Sequence, residues 1–351
     1  MSDKKTKGIL YVGIDFGTSR IAVSASNGMS EHFPSYVGYP KDAISMKVLK
    51  KEVLFGQEVI DNRLALNLFR PVEVLKDTSQ KDNWTDEEKT TNRKAAVELI
   101  RFTIASIKPS ADDLVYGVIG LPSEASIHNK KAVVDAAKEA GLDAVIICPE
   151  PFAVAYACNQ LTNALFIDIG AGSTDLGRMH GALLEPEDQK TLKFAGDYID
   201  NNLYNAMKTH AEVGKASFTI QRVAKIKEQF SSIHSTLEKI MVTLPVQGIP
   251  TEFDITTLVR DACKSIVQPI LKALQELIAS FDPDFQELMR QNVVLCGGGS
   301  MIVGLREYFE EELKAYGGGK VTCVETPVFA GSNGALKMAH DMPEDYWQKL
   351  S

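Results

Sequence analysis

Two stretches far apart in the chain follow one pattern, and that pattern constrains the fold more than any other feature. In the first, the apolar run ILYVGID ends on Asp15, and the turn residues Phe16, Gly17, Thr18 and Ser19 lead into RIAVSAS. In the second, the run ALFID ends on Asp168, the turn passes through Gly170, Gly172, Ser173 and Thr174, and DLGRM follows from Asp175. Each copy is an apolar strand closed by Asp, then one apolar residue, Gly, a small residue, and Gly or Ser. Such a pattern predicts a β-hairpin in each place. A two-member internal repeat further predicts two similar halves facing each other.

The segments around the copies alternate between strand and helix. Thr85 and Glu88 have capping-box spacing ahead of a helix carrying Val97, Ile100, Phe102, Ile104 and Ile107. A strand is expected over Leu114–Gly120, a helix over Ile127–Ala140 stopped by Gly141, a strand over Ala144–Cys148, and a helix from Pro149 to about Gln160. This alternation implies an α/β protein whose mainly parallel sheets are flanked by helices. Further on, Val223–Ile240 and Thr256–Ala279 read as helices and Asn292–Cys296 as a short strand. The run Gly297–Ser300 opens another helix to about Ala315, and Phe329–His340 is a helix of small residues. Two segments interrupt the rhythm, Phe33–Leu75 and about Asp197–Phe253, and read as insertions into the two halves.

Composition narrows the chemistry. The 351 residues are enough for two domains, and 46 acidic against 38 basic residues give a net charge of −8. That balance argues against a grip on nucleic-acid backbones. Five scattered cysteines, Cys148, Cys158, Cys263, Cys296 and Cys323, contain no CxxC and read as reduced thiols. No apolar run reaches the roughly 18–20 residues of a membrane span. The opening MSDKKTKG has no apolar residues between Lys4, Lys5 and Lys7, so it reads as a solvated tail with neither an export signal nor an amphipathic anchor.

A turn of Gly and Ser exposes backbone N–H groups with no side chain in the way, which suits an anion. One such hairpin is ordinary. Two, each beside a strand-end Asp, suit a polyphosphate with a hard divalent cation, because Mg²⁺ keeps most of its waters and needs only one or two carboxylates. There is no GxxxxGK[ST] in the chain, and Gly297-Gly298-Gly299-Ser300 fails GxGxxG at its last position, which disfavours both a Walker loop and a dinucleotide fold. Glycines between a strand and a helix allow a flat ligand or a phosphate to approach the backbone.

Five segments occur in order: GIDFGTS; VIGLPSEA with CPEPFAVAYA; FIDIGAGSTDLG; VVLCGGGSMIVGLREYF; and VFAGSNGALKMA. Together they resemble the signature segments of the actin, Hsp70 and sugar-kinase superfamily over the whole chain, and within it the filament-forming bacterial actins, particularly those of magnetosomes. The resemblance implies an actin-like fold of two similar halves, each with a mixed sheet flanked by helices, with ATP in the cleft between them and two inserted subdomains. It divides the chain into subdomain IA (8–32, 76–160 and 326–351), IB (33–75), IIA (161–196 and 254–325) and IIB (197–253). It places Gly17, Thr18, Ser19, Gly170, Gly172, Ser173 and Thr174 on the ATP phosphates, and Asp15 and Asp168 on hydrated Mg²⁺. Glu150 falls on the residue that orients the attacking water, Lys227 and Glu228 on the pair that meets the nucleoside, and Gly196 and Asp197 beside the ribose. Gly297, Gly298, Gly299 and Ser300 also belong to the nucleotide site.

Eukaryotic actin has a phosphate-binding lysine seven residues after the first Asp, where this chain has Ala22, so backbone amides and metal must carry the clamp. The implied activity is Mg²⁺-dependent hydrolysis of ATP to ADP and phosphate, coupled to assembly of a cytoplasmic homopolymer. Its expected partners are further copies of itself and a magnetosome-associated adaptor, with no nucleic acid and no direct membrane insertion. The rival readings are a cell-shape actin and a small-molecule kinase on the same fold.

Overall fold

In the computed structural model, residues 8–76, 85–234 and 239–350 are described. The Lys4, Lys5 and Lys7 tail lies outside them. The chain forms two compact units, 1–160 with 328–351, and 161–327.

In the first unit the alternation around Asp15 becomes strand β1 (Ile9–Phe16), paired antiparallel with β2 (Arg20–Ala25), and β3 (Ser30–Pro34) continues the meander. The insertion that follows is a three-stranded sheet of β4 (Val37–Pro40), β5 (Leu54–Phe55) and β6 (Leu66–Phe69). Short helices α1 (Ala43–Leu49), α2 (Gln57–Asp61) and α3 (Pro71–Lys76) accompany it, so this insertion carries more helix than its turn-rich sequence suggests. Helix α4 (Asp86–Ser106) starts at the expected capping box, with Thr85 and Glu88 bonded reciprocally. Strand β7 (Leu114–Leu121) pairs parallel with β1, and α5 (Ile127–Ala140) ends at Gly141, whose φ of +117° is a left-handed cap suited to glycine. Strand β8 (Ala144–Pro149) runs straight into α6 (Glu150–Ala157), giving the sheet order β3-β2-β1-β7-β8.

The second unit repeats this plan. Strands β9 (Thr162–Ile169) and β10 (Thr174–His180) form its hairpin, and β11 (Gln189–Leu192) pairs antiparallel with β10. Helices α7 (Gly196–Thr209) and α8 (Ile220–Phe230) follow, then the hairpin of β12 (Met241–Val246) and β13 (Ile249–Asp254). The expected helix Val223–Ile240 therefore stops at Phe230. Ser231 and Ile233 exchange backbone hydrogen bonds with Val303, which draws the chain out of the helix into a bridge. Thr256–Ala279 is likewise two helices, α9 (Thr256–Lys264) and α10 (Val267–Ala279). Pro269 is the reason, since its ring would clash with the carbonyl four residues earlier, at Ser265, in a continuous helix. Helix α11 (Gln286–Arg290), β14 (Val293–Cys296), α12 (Leu305–Leu313) and β15 (Val321–Cys323) complete the unit, with sheet order β11-β10-β9-β14-β15. A 3₁₀ turn over Gly298–Met301 stands where the sequence suggested that α12 begins.

The chain re-enters the first unit as α13 (Ala330–Asp341) and α14 (Glu344–Gln348). Helix α13 packs on β1 and α6, where a Cβ on Gly334 would lie 1.7 Å from the Ala153 carbonyl oxygen, so only glycine permits the crossing. Trp347 of α14 is fully buried and donates its indole N–H to Ala339. Each unit has its own apolar core, around Val12, Ile14 and Ile119 in the first and Leu165, Ile167 and Leu295 in the second.

Candidate nucleotide site

The two Asp-bearing turns occupy equivalent places in the two sheets. Asp15 pairs with Ala22 on one side and Gly120 on the other, and Asp168 with Asp175 and Cys296. Both carboxylates sit at the ends of their strands, half-buried. In the first unit, Gly17, Thr18 and Ser19 form the turn between β1 and β2. The buried Ser35 pins it, donating its hydroxyl to the Gly17 carbonyl at 2.7 Å and its N–H to the Ser19 carbonyl at 2.9 Å. A Cβ on Gly17 would come within 2.3 Å of the Arg20 carbonyl oxygen. Arg20 is exposed and Ala22 is buried.

In the second unit, the Gly170 N–H donates to the Ser173 carbonyl at 2.9 Å, and the Ser173 hydroxyl donates to Asp175 at 2.8 Å. Thr174 donates to the Phe194 carbonyl at 2.7 Å. Gly172 lies at the tip of the turn. The first two amides of α7 brace it, Gly196 donating to the Gly170 carbonyl at 3.0 Å and Asp197 to the Ala171 carbonyl at 2.7 Å.

A glycine stands against each strand-end carboxylate. A Cβ on Gly297, whose φ is +73°, would be 2.2 Å from Asp168 Oδ1, and one on Gly331 would be 2.9 Å from Asp15 Oδ2. Gly299 is packed as tightly, with a Cβ 2.2 Å from Ile169, while Gly298 faces open space. The Ser300 hydroxyl donates to the Gly297 carbonyl at 2.7 Å and closes this turn. Among the described residues, no group of three or more His, Cys, Asp or Glu is arranged to hold a metal ion. One carboxylate per turn, with the space beside it kept by glycine, instead fits a cation that retains its waters.

Glu150 is the first residue of α6, at the positive end of the helix dipole, and its Cγ lies 3.5 Å from a Cβ placed on Gly120. The buried Cys148 thiol is pushed up to about 12, first by burial and then by the charges of Glu150 and Asp15. Asp15, Gly120 and Cys148 are successive neighbours across β1, β7 and β8, and Glu150 follows two residues later. The first unit thus gathers Asp15 and Glu150 at the C-terminal end of its parallel strands.

Lys227 and Glu228 on α8 diverge. Glu228 is exposed, whereas the Lys227 ammonium pairs with Asp200 at 2.9 Å and donates to the Gly196 carbonyl at 3.0 Å. Burial raises the Asp200 carboxyl above its usual range, against the pull of Lys227 and with the help of Asp197 and Glu228. Asp175, Asp200 and Gly331 are absent from the sequence-derived site. A signal existed for one of them: Asp200 interrupts the apolar stripe Ile199, Leu203 and Met207 of α7, a place where a charge needs a reason.

Two sheets of one strand order, each with an Asp-ended hairpin, define an actin-like fold. The chain belongs to the MreB/Mbl protein family, whose model matches residues 90–345. It is 36% identical over 349 residues to the actin-like protein MamK of Paramagnetospirillum magneticum (strain AMB-1), covering 99% of this chain and 96% of that protein. Among solved structures, the MamK double helical filament matches with a TM-score of 0.90 at 34% identity, over 96% of this chain and 100% of that one. A non-polymerising MamK mutant bound to AMPPNP matches at the same identity and coverage with a TM-score of 0.70.

Proposed function

We propose that the protein is an actin-like ATPase that binds ATP with Mg²⁺, hydrolyses it to ADP and phosphate, and polymerises into cytoskeletal filaments that organise magnetosomes into a chain. The observation that carries the reading is the match to a MamK filament over nearly the whole chain. The AMPPNP-bound MamK supports the nucleotide. The four-subdomain division expected from the sequence belongs to the same proposal.

In this mechanism the backbone amides of the Gly17–Ser19 and Gly170–Thr174 turns take the phosphates. Asp15 and Asp168 would hold Mg²⁺, which would supply charge neutralisation at the phosphate oxygens. Glu150 aligns a water for in-line attack. The new bond joins that water's oxygen to the γ-phosphorus as the bond to the β–γ bridging oxygen breaks, and ADP leaves. Lys227 and Glu228 meet the nucleoside, Gly196 and Asp197 flank the ribose, and Gly297–Ser300 close the site. No helix among the described residues is long and apolar enough to cross a membrane. In this reading the filament is cytoplasmic and reaches magnetosomes through an adaptor protein.

The test is sedimentation and phosphate release, with ATP and Mg²⁺, across a range of protein concentrations. Pelleting above a critical concentration, with turnover per subunit rising as filaments form, is expected. A chain that stays monomeric and turns over at one rate per molecule at every dilution overturns the filament reading in favour of a soluble enzyme.

A further inference from the structure

Asp200 has no role in the site as drawn, yet its position is costly. It lies on the buried stripe of α7, its side chain 9% exposed, and the Lys227 side chain that meets it from α8 is 15% exposed. Removing either member of such a pair leaves the other charge buried and uncompensated. The Lys227 ammonium has three N–H donors. One is taken by the Gly196 carbonyl, and the buried Asp200 Oδ1 lies 2.9 Å from the ammonium as an ion pair. A Cβ on Gly196 would stand 3.2 Å from Lys227 Nζ, so glycine is what admits the ammonium. The pair therefore fastens α8 to the N-terminus of α7, at the glycine that flanks the ribose in the nucleotide reading.

We propose that Asp200 is a positioning residue for nucleotide recognition: it holds Lys227 against the Gly196 carbonyl so that the lysine ammonium is presented to the nucleoside. This rests on the nucleotide reading above and adds a division of labour to it. Asp200 acts on the nucleoside end of the ligand and leaves the phosphate end untouched.

The experiment is calorimetric titration of the full chain, below its assembly concentration and with Mg²⁺, using AMPPNP in one series and inorganic tripolyphosphate in the other. Asp200→Asn is expected to weaken AMPPNP about tenfold, the equivalent of roughly 1.4 kcal/mol. Tripolyphosphate affinity should not change. Lys227→Met should cause a similar loss, and the double variant should bind no more weakly than Lys227→Met alone, because the two residues act as one unit. Asp200→Glu, which keeps the charge, should fall between wild type and Asp200→Asn. If Asp200→Asn does not melt cooperatively, Asp200→Glu decides the question by the same split. Equal losses for AMPPNP and tripolyphosphate, additive losses in the double variant, or wild-type AMPPNP affinity in the Asp200 variants would each overturn the positioning role alone. A wild-type chain that binds neither ligand overturns the nucleotide reading and the role of Asp200 together.

Discussion

The two units share one scaffold and one Asp-then-Gly turn, but differ in the side chains placed around it. Their hairpins pair in the same register, Val12 opposite Ala25 and Asp15 opposite Ala22 in the first, Leu165 opposite Arg178 and Asp168 opposite Asp175 in the second. On that scaffold Ala22 corresponds to Asp175 and Ala25 to Arg178. Continuing the count past the last parallel strand sets Glu150 against Thr326, each followed by proline. A single serine pins the first turn, and the N-terminus of a 14-residue helix braces the second. The strand order supplies the geometry twice, and in the proposed mechanism side chains then specialise it: a carboxylate for water in one unit, a lysine for the nucleoside in the other.

The sharpest way to break this comparison is Glu150→Ala. If only the first unit carries the water-orienting acid, phosphate release should fall by about 10²–10⁴-fold, as for loss of a general base. ATP binding and ATP-dependent pelleting should survive. Unchanged phosphate release would remove Glu150 from the mechanism and leave the asymmetry with Thr326 without a function.

The second contrast is energetic. Ala25 is a small buried residue, whereas Arg178, its counterpart, is a buried cation stacked 4.3 Å over Phe281 and bonded to Asp188 at 2.6 Å. Asp188 also pairs with His180 at 2.8 Å and accepts the Glu185 N–H at 3.1 Å. Burial raises the Asp188 carboxyl, but the bonds from His180, Arg178 and Glu185 outweigh it and hold the group below its usual range. Arg178→Met leaves that carboxylate buried without its main partner and should cost about 3–5 kcal/mol in chemical denaturation. The pH dependence follows from the direction of the shift. A depressed carboxyl stabilises the fold above the ordinary Asp pKa, and that stability is lost as pH falls through the lower folded value. Melting curves should lose stability over this acid window in wild type and flatten there in Asp188→Asn. An Arg178→Met protein as stable as wild type would mean that the second sheet does not depend on its buried charges.

What the sequence made legible, and what it hid, divides along the same line. Local signals were accurate: the hairpin at Asp15, the capping box at Thr85, and the glycine stop at Gly141 depend only on neighbouring residues. The helix over Val223–Ile240 failed because Val303, distant in sequence, competes for the backbone of Ser231 and Ile233. The break at Ser265 is encoded by Pro269, although the apolar periodicity runs on through it. Gly331 and Asp200 escaped because their meaning lies in what they approach, Asp15 in one case and Lys227 in the other. The turns read as anion loops, with Gly196 and Gly297 named beside them, whereas Ser35 and Gly331, which brace and space the first turn, carry no local signal.

The last test compares the two glycines that guard the two metal-type carboxylates, and it expects the smallest effect on stability. Gly297→Ala meets both a left-handed φ of +73° and the Ile169 carbonyl oxygen 2.6 Å from the new Cβ. Backbone strain and overpacking together should cost about 2–3 kcal/mol. Gly331 is helical, and its first neighbours are side-chain atoms of Asp15, at 2.9 Å for Oδ2 and 3.1 Å for Cγ. Alanine there gains up to about 1 kcal/mol of helix propensity, which offsets the displacement of one partly exposed carboxylate. Gly331→Ala should therefore melt within about 1 kcal/mol of wild type. Because Asp15 must move, the Mg²⁺ concentration for half-maximal phosphate release should nevertheless rise, as it should in Asp168→Ala, where a carboxylate is removed outright. A Gly331→Ala protein with an unchanged Mg²⁺ requirement would show that Asp15 does not hold the cation, and the two turns would then be equivalent in backbone only.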